Sequence, residues 1–192
     1  MIKPNNTETT NDLALGLLLQ FDNAWQQLNR HLQGLTLEEC LWRPNDHGGG
    51  VRGFDDFRHE GSFLPTDGGE MEVPNIAWIT WRLDCWWSLV INHSFGDGTW
   101  NHESIEWVPS VEYIRWRMEK LKDIWLSHLS GMTAEALEAK DLSRFPMSDR
   151  PFREVVVWLN VELMRSASEI GLMRFVYANR GKKYERLAEL SE

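Results

Sequence analysis

The stretch Phe152 to Tyr177, FREVVVWLNVELMRSASEIGLMRFVY, limits what this chain can fold into more than any other. Val155, Leu159, Glu162, Ser166, Ile170, Met173 and Tyr177 recur at three- and four-residue steps, the period with which a helix turns one face to a core. Two of them, Glu162 and Ser166, are polar and sit mid-stripe one turn apart. Burying an unpartnered carboxylate there would cost roughly several kcal/mol, so something must face it.

Three further segments carry a helical stripe. Helix one is expected from about residue 10, where Thr10, Asn11 or Asp12 can cap it, to about Gln33. Leu17, Phe21, Ala24, Leu28 and Leu32 form its inner face, His31 near its end reads as a solvated or cap-satisfying residue, and Gly34 is a natural stop. Helix two begins after Pro74 and runs to Gly96. Its stripe of Trp78, Arg82, Cys85, Leu89 and His93 again holds a charge in its middle. Asp84, next to that stripe, reads as a surface residue. Helix three, Ser110 to Ser130, is capped by Ser110 and turns Val111, Ile114, Met118, Leu121, Trp125 and Leu129 inward. Pro151 opens helix four, since the first helical turn accepts proline.

The connections are irregular. Thr36 and Glu39 form a capping box for a short helix that Pro44 ends, and Thr133 to Leu137 suggests another. The Gly-rich stretch 45–74 between helices one and two carries Asp55, Asp56, His59 and Glu60, whose spacing fixes no metal geometry, so the bland reading of solvated charge prevails. KKYERLAELSE after Gly181 can form a brief amphipathic helix. With 192 residues and no break in composition, the chain reads as one domain, 1–192.

Asp plus Glu number 29 against 20 Lys plus Arg, and no basic cluster is interleaved with aromatics, which disfavours a nucleic-acid partner. No apolar run is long enough to span a membrane. Cys40 and Cys85 make neither a disulfide framework nor a zinc spacing, which fits a cytoplasmic protein. The 11 tryptophans fall at helical spacing and read as core filler with polar tips at the surface. No nucleophile elbow, phosphate-cradling loop or zinc-protease motif is present.

Leu35 to Pro44 (LTLEECLWRP), the IAWITW run of helix two and Asn160 to Ile170 (NVELMRSASEI) resemble the DinB-like superfamily (DinB/YfiT-like metalloenzymes). The resemblance implies an all-α four-helix bundle with an up-down-down-up path, often assembled as a homodimer. Metal-binding members place one histidine in helix two, four residues after the Trp of the IAW-type motif, and two in helix four at i, i+4. The matching positions here are Arg82, Glu162 and Ser166, so all three histidines are replaced; counting from Trp81 would instead put Cys85 first. Arg offers no lone pair and Ser is a poor ligand, so the divalent metal of the family is not expected to bind.

Three readings of this constellation compete. A buried ion pair between Arg82 and Glu162, with Ser166 filling a hydrogen bond, leads; Glu162→Ala should then cost roughly 3 to 5 kcal/mol by stranding the arginine. A pocket in which Arg82 and Arg165 take a small anionic ligand comes next. Residual metal binding through Glu162, Cys85 and His93 or His128 comes last. Cys85 also invites a nucleophile reading, with Arg82 one turn away lowering its pKa. The expectation is a protein without a working metal site, in a small-molecule-binding or stress-associated accessory role. Whether it is an enzyme stays open, the alternative being a metal- or thiol-dependent transferase or isomerase with a rearranged site.

Overall fold

Four long helices carry nearly all of the buried apolar side chains. The computed structural model describes residues 6–44 and 74–180, with helical backbone alone over 6–11. Among these residues the elements are α1 (Asn6–Leu32), α2 (Leu37–Leu41), α3 (Ile76–Phe95), a 3-10 turn (His102–Ser104), α4 (Val111–Leu129), α5 (Ala134–Glu138) and α6 (Phe152–Asn179). No strand occurs among them, and the fold is all-helical. The loop carrying Asp55, Asp56, His59 and Glu60 and the segment after Gly181 lie outside the described residues.

The caps show why the helices start where they do. Thr36 and Glu39 close the capping box of α2, the Thr36 side chain accepting from Glu39 N and Glu39 accepting from Thr36 N. Asn75, Ser110 and Thr133 each accept from a backbone N–H three residues on, opening α3, α4 and α5. Gly34 adopts φ 65°, the left-handed conformation that ends α1 without a Cβ penalty. α1 begins at Asn6, so Thr10, Asn11 and Asp12 lie inside the helix and none caps it.

Side-chain contacts fix the directions of the helices. Asn160 donates to Leu17 O and Gln20 Oε1, while Arg174 donates to His31 O, so α1 and α6 run in the same direction. Arg82 meets Ser166 while Trp86 packs on Trp158, so α3 and α6 are antiparallel. Asp84 meets Arg117 and Phe95 meets His128, so α3 and α4 are parallel. α1 and α6 approach closely at Gly171, where a Cβ would lie 2.5 Å from the His31 ring.

The inner stripes of α1 and α4 are buried as their periodicity predicts, Val111 only in part. α3 differs, because every residue from Ile79 to Val90 is buried, polar ones included. The tryptophans also differ from expectation, since several indole N–H groups point into the protein. Trp81 Nε1 donates to Ile105 O and Trp107 Nε1 to Thr80 Oγ1, both at 3.0 Å, which ties the link before α4 to α3. Trp87 and Trp125 are fully buried with no acceptor for their N–H among the described residues; they contribute through apolar packing alone, Trp87 meeting Phe21 edge-on at 5.7 Å.

Candidate functional site

Arg82 projects from the middle of α3 and is 2 % exposed. Its guanidinium lies between two tryptophans of its own helix, one turn before and one after, 4.7 Å from the Trp78 ring and 5.0 Å from Trp86. This is the geometry in which an aromatic face attracts a cation. Across the interface, Nη2 donates to Ser166 Oγ at 3.3 Å and to Glu169 Oε2, with which it forms a salt bridge.

Glu169 was not singled out in the sequence, where the inward stripe passes through Ser166 and Ile170. The carboxylate that pairs with Arg82 is nonetheless Glu169 and not Glu162. Glu162 pairs with Arg165 on its own helix, Nη1 to Oε2 at 3.3 Å. Arg165 also bonds Glu169 through Nε at 3.0 Å and packs 5.6 Å over Trp86. Two arginines and two carboxylates thus alternate as Arg82, Glu169, Arg165 and Glu162, and their formal charges cancel.

Two atoms of the network make no hydrogen bond among the described residues: the buried Arg82 Nε, and Glu162 Oε2, which lies in the ion pair with Arg165 while Oε1 accepts the bond from Arg165 Nη1 at 3.4 Å. Burial pulls the Arg82 guanidinium below its usual value, with Glu169 opposing, although Arg stays charged at any physiological pH. Burial also raises the Glu162 carboxyl above its ordinary 4.5; Arg165 and Arg82 pull it down and Glu169 adds to the rise.

The Glu162 shift carries a sign that can be tested. The folded state holds this proton more tightly than the unfolded state. The contribution to stability is therefore full below about pH 4.5 and is lost as pH rises through the raised value. Glu162→Gln removes the titration. Relative to that variant, the wild type loses stability as pH increases above about 4.5, which urea unfolding at a series of pH values measures.

Cys85 does not join the site as a reactive group. It is fully buried, and burial, with Asp84 adding to it, pushes its thiol up to about 12, opposite to the lowering expected from Arg82. Cys40 is likewise fully buried, its thiol also at about 12 chiefly through burial. His93 donates through Nε2 to Trp100 O at 2.8 Å, and His128 stacks on Phe95 at 3.9 Å. No group of three or more His, Cys, Asp and Glu capable of holding a metal occurs among the described residues, so the set Glu162, Cys85, His93 and His128 is not brought together.

A second polar centre joins α3 to α4. Asp84 is buried, not exposed, and Arg117 grips its two oxygens with Nε at 3.1 and 2.9 Å and Nη2 at 2.9 Å, while Ser88 donates to it at 2.7 Å. The sequence signal was available: Thr80, Asp84 and Ser88 recur every four residues, a polar stripe on a helix with no solvent face.

The model of the DinB superfamily matches residues 20–170, which takes in the second half of α1, all of α3 and α4, most of α6 and both polar centres. The chain belongs to the DinB superfamily. No curated protein and no solved structure gives a significant match.

The metal that the superfamily implies can be tested against the residues present. At the three positions that the resemblance matches to the family's ligands, Arg82, Ser166 and Glu162, this DinB-superfamily chain carries a guanidinium with no lone pair, a neutral hydroxyl already accepting from it, and one carboxylate engaged by Arg165. A divalent ion would need neutral imidazole, thiolate or free carboxylate donors. These residues do not fit it.

Proposed function

We propose that this DinB-superfamily protein works without a divalent metal, as a binding or accessory member in which Arg82 supplies the positive charge that an ion supplies in metal-dependent relatives. The observation that carries this reading is the placement of the Arg82 guanidinium, held between Trp78 and Trp86 and bonded to Ser166 and Glu169. The Arg82 Nε donor, left without an acceptor, supports a small polar ligand rather than a free anion, because both arginines already face carboxylates. An anionic group would first have to displace Glu169 or Glu162. A thiol-dependent transferase is the weaker reading, since the Cys85 thiol is fully buried and held at about 12.

Elemental analysis of protein purified without chelators, together with calorimetric titration of zinc, tests the proposal. The expected result is a metal content far below one equivalent and no saturable zinc binding at micromolar concentration. The paired substitution R82H with S166H should create measurable zinc affinity alongside Glu162. Stoichiometric zinc, nickel or iron that is lost in Glu162→Gln overturns the proposal.

A further inference from the structure

A cleft opens on the face of α3 turned away from Arg82. Asp84 follows Arg82 by two residues, about 200° around the helix, so the stripe of Thr80, Asp84 and Ser88 looks in a different direction from Trp78 and Arg82. The cleft lies between that stripe, the link before α4 and the first half of α4, and it encloses about 250 Å³ with its open mouth included. Pockets that hold a whole small molecule begin at roughly 300 Å³, so this one takes the end of a ligand and leaves the rest outside. Trp81, Trp107, Ile114 and Met118 form its wall. Both indole N–H groups are spent on Ile105 O and Thr80 Oγ1, which leaves that wall apolar. The polar chemistry of the lining rests with Arg117, Asp84, Glu106 and Tyr113.

We propose that this cleft binds a primary carboxamide at the end of a larger molecule. Arg117 is held rigid there: Nε and Nη2 grip Asp84, Nη2 also donates to Ser88 Oγ at 2.7 Å, and the side chain is 20 % exposed. Its Nη1 has no partner among the described residues, which leaves a preorganised pair of N–H donors for an acceptor. Charge decides which acceptor. The lining sets one guanidinium against two carboxylates, Asp84 and Glu106, so a carboxylate or phosphate is repelled on balance, while a cation meets the guanidinium. A neutral amide avoids both penalties: its carbonyl accepts from Arg117 Nη1, and its NH₂ donates to the exposed Glu106. Tyr113, half-buried, packs on the exposed Trp116 with ring centroids 5.5 Å apart, and the two offer an aromatic surface to the part of the ligand that leaves the cleft. Nothing in this proposal depends on the Arg82 network, so its outcome leaves the metal-free reading untouched.

The test is titration of the nitrogen-15-labelled full chain with benzamide, read by NMR at the indole N–H of Trp107, which Trp107→Phe assigns. Saturable shifts are expected with a Kd on the order of 1 mM, the scale of a small fragment. Benzoate and benzylamine, of similar size but charged, are expected to bind at least about tenfold more weakly. Val108→Trp fills the cleft from a half-buried position on the link and is expected to abolish the shifts. Arg117→Lys keeps a positive charge opposite Asp84 but loses the planar fork, and it is expected to weaken benzamide about tenfold. Either variant that keeps the helical circular dichroism of the wild type decides the matter. Benzoate bound as tightly as benzamide, shifts that persist undiminished in such a variant, or no saturable shift in the wild type overturns the proposal.

Discussion

Glu169→Ala lowers the unfolding free energy by about 3 kcal/mol, and Glu162→Ala by on the order of 1 kcal/mol. This ranking reverses the one expected when Arg82 is assigned to Glu162. Arg82 is the charge with no recourse to solvent, its side chain 3 % exposed, and Glu169 is its carboxylate partner among the described residues. Removing Glu169 strands that guanidinium between two indoles with only Ser166 and the π faces to stabilise it. Removing Glu162 frees Arg165, whose side chain is 40 % exposed and keeps its bond to Glu169. The desolvation cost of the Arg82 and Glu169 pair offsets much of its attraction, so replacing both with apolar residues of similar volume, Arg82→Met with Glu169→Leu, recovers most of the loss. Urea unfolding of the two single variants and the double variant measures all of this in one cycle. A larger loss in Glu162→Ala than in Glu169→Ala would put the pairing back on Glu162.

The helices and most of their caps were legible because those signals are local: a period near 3.6, a Ser or Thr ahead of an apolar run, a Gly after it. Arg82 was legible as a charge on an inward stripe, and Ser166 as the level of α6 that it reaches. The carboxylate was not. Glu162 and Glu169 lie two turns apart on one helix, and which of them an arginine reaches depends on the axial offset of α3 against α6 and on how its long side chain threads past Trp78 and Trp86. Both are tertiary quantities that periodicity does not encode. The reading of Asp84 as a surface residue failed for a related reason. A helix with one apolar stripe has a wet back, but α3 is enclosed on every side, and its second stripe of Thr80, Asp84 and Ser88 faces protein. α1 starts ahead of its cap-like residues because Thr10, Asn11 and Asp12 continue the helix rather than open it.

Arg174→Ala is expected to cost about 3 kcal/mol, for a reason that lies in how helices end. The last carbonyls of a helix have no partner within it and sit at the negative end of its dipole. At the end of α1, Arg174 of α6 serves that role from outside: Nη1 donates to His31 O at 2.7 Å and Gln33 O at 2.8 Å, and Nη2 to Gly34 O at 3.1 Å. Its Nε donates to Glu39 Oε1 at 2.9 Å, while the other oxygen of Glu39 closes the capping box of α2. One guanidinium therefore joins the end of α1, the start of α2 and the last third of α6. Alanine leaves three carbonyls and a carboxylate, the latter's side chain only 10 % exposed, to find water in a crowded corner. Lysine cannot replace the planar fork, because a single ammonium reaches one or two of the four acceptors, so Arg174→Lys should recover less than half of the loss. Hydrogen exchange separates this local role from general packing: the Cys40 amide, bonded to Thr36 O at 3.1 Å, should lose protection before the middle of α6 does. Thermal and urea unfolding within about 0.5 kcal/mol of the wild type, the range typical of a neutral surface change, would mean that water caps α1 as well as the arginine does.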